Sequence, residues 1–331
     1  MGKFIKKFFV FCLIFIVSLF LLEISLRNWH FINDSILNSS IAQFEIKSNK
    51  INTLFIGNSK IYYAINSDSC FEKNNFYNFS FPSETIESTY WKLKYYSDNA
   101  SLQNIKHVYI QLERAAIYPT SPIERNNMYD YSKYYKHSFD EITKNRNISF
   151  KLNEWITNNC VSYRLRPYLI DLILNQINYK IINKGENVNN TNLFGAGILF
   201  TKYNTTKLKK DIHTLLIQEN EFQNAALNIS QITYYDKLIK LFEQKGIVVD
   251  FINIIEPIDI AAQDDVSINN LLIKNSEKED TLIKKRYPNS KMIRLNKYSN
   301  LFKIEDFADN HHLNNTGSEK FSKLLSSVIC H

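Results

Sequence analysis

The stretch INTLFIGNSK, residues 51–60, decides the fold class. Its run from Asn52 to Ile56 is mainly apolar and stops at Gly57, which is typical of a buried strand that ends in a tight turn. Two polar residues, Asn58 and Ser59, follow at once. Ligands gather at the carboxyl ends of strands in parallel α/β sheets, so this stretch indicates both a sheet and a candidate site.

The rest of the chain alternates between strand and helix signals. Helices are predicted at residues 84–97 and about 221–245, where Gly246 ends the second helix, and again after the last strand. Further strands are predicted at 76–81 (FYNFSF), 107–113 (HVYIQLE), 247–254 (IVVDFINI) and 291–295 (KMIRL). This alternation predicts an α/β domain with a mostly parallel sheet covered on both faces.

Residues from about 114 to 218 interrupt this pattern and indicate an insertion or lid. The segment is rich in Tyr, Asn and Arg, and we expect a helix at about residues 163–177. Its tyrosines can stack on sugar rings, although packing against the domain is the commoner role of such residues. They are Tyr118, Tyr129, Tyr131, Tyr134 and Tyr135.

The N-terminus indicates a membrane segment. An uncharged apolar run at residues 8–22 follows three lysines, Lys3, Lys6 and Lys7. The positive flank should stay in the cytoplasm, which places the rest of the chain outside. No small-x-small cleavage site follows, so an uncleaved signal anchor is favoured over a cleaved signal peptide.

These signals divide the chain into three parts. We expect an anchor at residues 1–27 with a transmembrane helix at about 8–26, a stalk at 28–50, and an α/β domain at 51–331 that carries the insertion. In an oxidising compartment one pair among Cys70, Cys160 and Cys330 could form a disulfide, leaving one thiol.

Composition excludes several classes of protein. Gly (7) and Pro (6) are too few for a repeat array or a low-complexity chain. The formal charge of +7 is spread along the chain without a nucleic-acid motif. Cys12 lies in the apolar run, and the absence of C-x-x-C spacing argues against a zinc or redox site.

A second polar cluster, DFADNHHLNNTGSEKF at residues 306–321, precedes the last predicted helix. A serine hydroxyl becomes a nucleophile when an imidazole takes its proton and a carboxylate holds the other ring nitrogen. Asp309 and His312 can form such a pair locally, with Ser59 supplied by the first strand end. The alternative is structural: Asp309 as a helix cap and Ser59 as a small turn residue. Adjacent histidines rarely chelate one ion, so His311 is interpreted as exposed or as supporting the site, with no metal or cofactor expected.

Together the two clusters resemble the SGNH (GDSL-like) hydrolase superfamily. Strand-GNS with Ser59 matches block I, and D-x-x-H-L-N-x-x-G with Asp309 and His312 matches block V. The resemblance implies a three-layer α/β/α, flavodoxin-like fold and a Ser-His-Asp triad. With the anchor, the chain is similar to extracytoplasmic members that O-acylate surface polysaccharides from an acyl donor, commonly beside a multispan membrane acyltransferase.

The chain departs from the superfamily pattern at the oxyanion donors. Asn58 replaces the usual aspartate, and the block II glycine has no counterpart, so Ser83 or Ser80 is expected in its place. The block III asparagine is also missing, which leaves Gln111 as a candidate amide donor besides the backbone N–H of Ser59. The resemblance therefore implies a membrane-anchored O-acyltransferase or esterase. Its alternative is a weak or inactive SGNH-fold module that serves as a binding or assembly partner of a membrane acyltransferase complex.

Overall fold

The computed structural model describes residues 2–27, 36–66, 75–82, 84–118, 132–144, 147–160 and 205–330. The chain divides into two compact units. One comprises Met1–Ser39 with Asn127–Asn189, and the other comprises Ser40–Asn126 with Asn190–His331. The sheet and the candidate site belong to the second unit.

A five-stranded sheet forms the centre of the second unit, in the order β2-β1-β3-β4-β5, and every pairing is parallel. The strands are β1 (Thr53–Ile56), β2 (Phe76–Asn78), β3 (His107–Gln111), β4 (Val248–Asn253) and β5 (Met292–Arg294). All four residues of β1 are buried, as expected for a central strand. The predicted α/β class and parallel sheet are confirmed.

The strand order creates a switch point between β1 and β3. The chain moves from β1 to β2 on one side and then returns to place β3 on the other side, so the connections diverge there. Ile56 pairs with Ile110, which puts the residues that follow β1 beside the end of β3. This is the place where open α/β sheets bind ligands.

Twelve α-helices lie within the described ranges. They are α1 (Gly2–Arg27), α2 (Ile36–Lys47), α3 (Ser59–Ala64), α4 (Ile86–Asp98), α5 (Arg114–Ile117), α6 (Ser132–Thr143), α7 (Ile148–Asn159), α8 (Thr205–Asn224), α9 (Ile229–Glu243), α10 (Pro257–Ala261), α11 (Val266–Arg286) and α12 (Asn315–Ile329). Two short 3₁₀ turns, Asn296–Leu301 and Ile304–Asp306, lead from β5 towards α12.

The prediction of a single helix at about residues 221–245 is wrong. The structure has two helices there, and α8 ends at Asn224 before α9 begins at Ile229. Asn228 starts the second helix, because its side chain accepts a hydrogen bond from the N–H of Gln231 and caps α9. The apolar face of α9 is as expected, with Leu238 and Phe242 buried.

The end of the predicted stalk belongs to the folded unit. Residues 36–47 form α2, and the ring of Phe44 on this helix is fully buried and stacks on Phe79 at 4.2 Å. The hydroxyl of Tyr77 on β2 donates to the carbonyl of Ser40 at 2.6 Å. The folded unit therefore starts before residue 51, whereas 28–35 lie outside the described residues.

The N-terminal helix is the one described helix that is long and apolar enough to cross a membrane. Its segment Lys3–Ser25 has a mean hydropathy of 2.7, and none of it is buried against the rest of the chain. Length and composition of this kind fit a membrane anchor and a signal sequence alike.

The remaining predictions fall partly outside the described residues. Cys330 forms a disulfide, Cys12 and Cys160 are free thiols, and Cys70 lies outside the described residues. Tyr118 and Tyr134 are buried, which fits packing better than sugar stacking. The side chains of Tyr129, Tyr131 and Tyr135 and the predicted helix at 163–177 also lie outside.

Candidate active site

The serine turn, residues Gly57-Asn58-Ser59, connects β1 to α3. Asn58 caps α3, since its Oδ1 accepts from the N–H of Lys60 at 2.9 Å. Its own backbone N–H donates to Gln111 Oε1 at 3.1 Å. A Cβ on Gly57 would lie only 2.5 Å from the same Gln111 oxygen, so this close approach requires glycine. The turn places Ser59 at the first position of α3 with its side chain at the carboxyl edge of the sheet.

The terminal loop, residues 308–312, is closed by its own backbone. Phe307 and Leu313 form an antiparallel bridge, and the N–H of Ala308 donates to the carbonyl of His312 at 2.8 Å. Inside the loop, Asp309 Oδ1 accepts from the N–H groups of His311 and His312 at 2.8 and 2.9 Å. These backbone bonds alone fix the position of the Asp309 carboxylate, without any contribution from the His312 imidazole.

Asn314 and Gly317 attach this loop to α12. Asn314 caps the helix by accepting from the N–H of Gly317 at 3.1 Å, and its amide nitrogen donates to the carbonyl of Glu305 at 2.7 Å. Gly317 has no room for a side chain because the carbonyl of Asp306 lies directly against it. The N-x-x-G part of the motif thus has a structural role in positioning the loop.

Packing of α12 on α3 brings the two clusters together. Leu325 and Phe321 of α12 share a buried core with Ile61 of α3, and Ser322 Oγ accepts from the N–H of Asn66 at 2.7 Å. The loop before α12 is therefore held against the start of α3.

The three residues named from sequence form one continuous chain of contacts. Ser59 Oγ lies 2.8 Å from His312 Nε2, and His312 Nδ1 lies 2.8 Å from Asp309 Oδ2 and 3.0 Å from Oδ1. The ring of Tyr63 meets the His312 imidazole edge-on, with centroids 5.4 Å apart. In the tautomer that carries its proton on Nδ1, His312 donates to Asp309 and accepts from the Ser59 hydroxyl.

The electrostatics of the loop keep Asp309 ionised. Burial raises the pKa of its carboxyl, but hydrogen bonds from the His312 side chain and the backbone N–H of His311 outweigh this and lower the pKa to about 2. Burial and the nearby charge of Asp309 raise the pKa of Tyr63. The site thus combines a fixed carboxylate, an oriented imidazole and a hydroxyl, which is the arrangement that activates serine for acyl transfer.

The residues expected to donate to an oxyanion differ in the hydrogen bonds that they already make. Among the described residues no acceptor is hydrogen-bonded to the backbone N–H of Ser59, so this donor is available. The Gln111 amide is held at the serine turn: its Nε2 donates one N–H to Glu113 at 2.7 Å and its Oε1 accepts from the N–H of Asn58 at 3.1 Å. Ser80 is buried and its N–H donates to Asn78. Ser83 lies outside the described residues.

Three charged residues beside the serine turn were missed from sequence: Lys60, Glu113 and Glu256. Lys60 Nζ lies 2.6 Å from Glu256 Oε1 and 3.7 Å from Glu113 Oε1. Burial lowers the pKa of Lys60, but the two carboxylates outweigh this and raise it. Burial also raises the pKa of Glu256, but the charge of Lys60 outweighs this and holds that pKa below its usual range. Glu256 lies 196 positions from Lys60, so no local sequence signal links the pair.

His311 remains at the edge of the site. Its Nδ1 lies 3.9 Å from Glu256 Oε2, beyond hydrogen-bond distance. Within the described ranges no group of three His, Cys, Asp or Glu side chains is arranged to hold a metal ion.

Comparison of the chain with protein-family models, with curated proteins and with solved structures returns no match. Function must therefore be inferred from the residues and the geometry of the chain itself.

Proposed function

We propose that this chain is a serine esterase or O-acyltransferase of SGNH type that acts on a cell-surface polysaccharide. The observation that carries the proposal is the contact chain from Ser59 Oγ through the His312 imidazole to Asp309. The parallel order β2-β1-β3-β4-β5, with the serine at its switch point, supports the three-layer arrangement that the SGNH resemblance implies.

The proposed reaction has two halves. Ser59 Oγ attacks the acyl carbonyl of the donor while its proton passes to His312 Nε2, and the Ser59 N–H stabilises the oxyanion. His312 then returns the proton to the leaving group, which departs as the acyl-enzyme forms. In the second half a sugar hydroxyl or water gives its proton to His312 and attacks the acyl-enzyme, and His312 then passes that proton to Ser59 Oγ as the acylated sugar or free acid leaves.

We place the enzyme outside the cytoplasmic membrane, anchored by α1. Lys3, Lys6 and Lys7 precede the apolar segment, which favours a cytoplasmic N-terminus. The disulfide at Cys330 also fits an oxidising compartment. A reporter that is active only in the cytoplasm should give no signal when fused after residue 50. A strong signal would reverse the orientation and remove the polysaccharide substrate.

A serine-directed fluorophosphonate probe tests the catalytic proposal. The full chain in detergent should be labelled at Ser59, because the probe reacts with a hydroxyl that a base activates. Ser59→Ala should abolish labelling, whereas Ser327→Ala, which changes an exposed serine on α12, should leave it unchanged. Labelling that survives in Ser59→Ala would place the nucleophile elsewhere.

The second candidate is an inactive SGNH-fold module that assists a membrane acyltransferase. One observation favours it: the Gln111 amide is held by Asn58 and Glu113 at the serine turn, so its side chain cannot turn towards an oxyanion without breaking these bonds. Loss of one oxyanion donor typically costs about 3 kcal/mol of transition-state stabilisation. A folded wild-type chain that is not labelled by the probe would favour this candidate.

A further inference from the structure

Asn58 stands where the resembled superfamily has an aspartate, and the structure shows what the amide contacts. Its Nδ2 donates to Glu113 Oε2 at 2.6 Å, while its Oδ1 caps α3 through the N–H of Lys60. An aspartate could keep the cap, but it could not donate to Glu113. The amide therefore links the serine turn to the residues that follow β3.

Glu113 accepts hydrogen bonds from the side-chain amides of both Asn58 and Gln111. The same Oε2 atom that accepts from Asn58 also accepts from Gln111 Nε2 at 2.7 Å, and Gln111 Oε1 holds the backbone N–H of Asn58. The other oxygen of Glu113 lies 3.7 Å from Lys60 Nζ. The three side chains Asn58, Gln111 and Glu113 thus form a closed set of bonds around the residue that precedes Ser59.

The backbone that carries Glu113 is itself fixed. The hydroxyl of Tyr235 on α9 donates to the carbonyl of Gln111 at 3.1 Å and accepts from the N–H of Glu113 at 3.2 Å. Tyr235 is buried, so the end of β3 provides a rigid base for the serine turn. A carboxylate is the side chain that can accept from two amides at once without offering a competing donor.

We propose that Asn58 and Glu113 are a matched pair, in which Glu113 positions Ser59 through Asn58 and Gln111. The pair explains why asparagine occurs at position 58: an aspartate there would set two carboxylates at hydrogen-bond distance from each other, where their charges repel. Glu113 does not touch the triad, so it is a positioning residue. This inference rests on the proposed nucleophilic role of Ser59.

Fluorophosphonate labelling of the full chain, at a temperature where every variant is folded, measures the pair. Asn58→Asp should slow labelling by about 100-fold, since it removes a charge-assisted bond and adds repulsion. Asn58→Ser keeps a capping oxygen, but its shorter side chain cannot reach Glu113 as the amide nitrogen does, so it should slow labelling by about tenfold. Asp98→Asn, which alters a surface pair with Lys94, is the control and should label like wild type.

The double variant Asn58→Asp/Glu113→Gln separates positioning from general destabilisation. The amide introduced at position 113 can donate to the carboxylate introduced at position 58, so the double variant should label about tenfold faster than Asn58→Asp alone. Recovery is only partial. In wild type one oxygen of Glu113 accepts from both Asn58 and Gln111, whereas in the double variant the amide at position 113 must donate to position 58 with its nitrogen and accept from Gln111 with its oxygen. A double variant whose loss of labelling equals the product of the losses in Asn58→Asp and Glu113→Gln would overturn the proposal, as would wild-type labelling of Asn58→Ser.

Urea unfolding of wild type, the two single variants and the double variant gives a readout that does not need activity. The pair should appear as a non-additive change in unfolding free energy between positions 58 and 113. Coupling in unfolding without any labelling of wild type would remove the proposed enzyme while retaining the pair. Labelling at Ser59 without coupling in either measurement would retain the enzyme and remove the pair.

Discussion

The two halves of the candidate site are held in place by different means. The terminal loop that carries His312 is almost self-contained, because Asp309 accepts from residues two and three positions along the chain. The serine turn has few local bonds and depends on Gln111 and Glu113, which lie 53 and 55 residues away from Asn58. The terminal loop can therefore orient the His312 imidazole alone, whereas the position of Ser59 depends on the sheet.

This difference predicts which changes act on chemistry and which act on folding. Substitutions inside the terminal loop should affect proton transfer directly and leave the sheet intact. Substitutions where either half contacts the rest of the domain should change stability, or the distance between the two halves.

Removal of the base should have the largest effect. His312→Ala should slow fluorophosphonate labelling by about a thousandfold, since a positioned general base typically contributes 10²–10⁴-fold. His311→Ala is a matched control on the adjacent residue and should change labelling by less than about threefold, because its imidazole does not contact Ser59. Equal losses in the two variants would mean that loop structure, and not the His312 imidazole, determines labelling.

Asp309→Asn should have the next largest effect. The amide keeps the size of the side chain, but it favours the imidazole tautomer that cannot accept the serine proton, so labelling should fall by about 10²-fold or more. Circular dichroism should show an unchanged fold. A variant that labels within a factor of about three of wild type would show that the carboxylate does not orient His312.

The difference between local and long-range contacts also explains which features of the site can be predicted from sequence. The strand 52–56, the turn at Gly57 and the Asp309–His312 pair are readable from sequence because each is encoded by adjacent residues. The contacts of Gln111 with Asn58 and Glu113 are not readable from sequence, because they depend on β3 lying next to β1, which the order of residues does not specify.

Long-range contacts also hide the other missed features. Lys60 lies next to Ser59 in the chain, yet its partner Glu256 is brought near by β4 and the start of α10. The break between α8 and α9 is missed because apolar spacing continues across it, while the cap at Asn228 is a single polar residue. Periodicity predicts the helical face well and the helix ends poorly.

The close contacts of two glycines test how each half is attached. Gly317→Ala should lower the free energy of unfolding by about 2–4 kcal/mol, because its methyl group would meet the backbone carbonyl of Asp306, which cannot move aside. Gly57→Ala should cost less, about 1–3 kcal/mol, because its methyl group would lie 2.5 Å from Gln111 Oε1, which can rotate away, and 2.8 Å from Gln111 Cβ, which can move only by a backbone shift. Urea unfolding measures both.

The effect on the labelling rate should be the reverse of the effect on stability: Gly57→Ala should slow labelling more than Gly317→Ala. Gly57→Ala displaces Gln111 from Asn58 and so disturbs the serine turn, whereas folded Gly317→Ala keeps the triad contacts within its loop. If Gly317→Ala labels more slowly than Gly57→Ala under conditions where both are folded, the terminal loop is less self-contained than its hydrogen bonds indicate.

The smallest expected effect is the contribution of Asp309 to stability as a function of pH. Its folded pKa of about 2 is below the value of about 3.9 for an unfolded aspartate, so its ionised form stabilises the folded state above pH ~4. That stabilisation should disappear as the pH falls from about 4 to 2, because the unfolded chain takes up the proton first. The side chain is 41% exposed, so we discount the shift for solvent screening and expect about 1 kcal/mol. The difference in urea midpoint between wild type and Asp309→Asn should therefore be larger at about pH 5 than at about pH 2.5 and should shrink below about pH 4. A difference that stays constant down to about pH 2.5 would mean that the loop does not depend on the charge of Asp309.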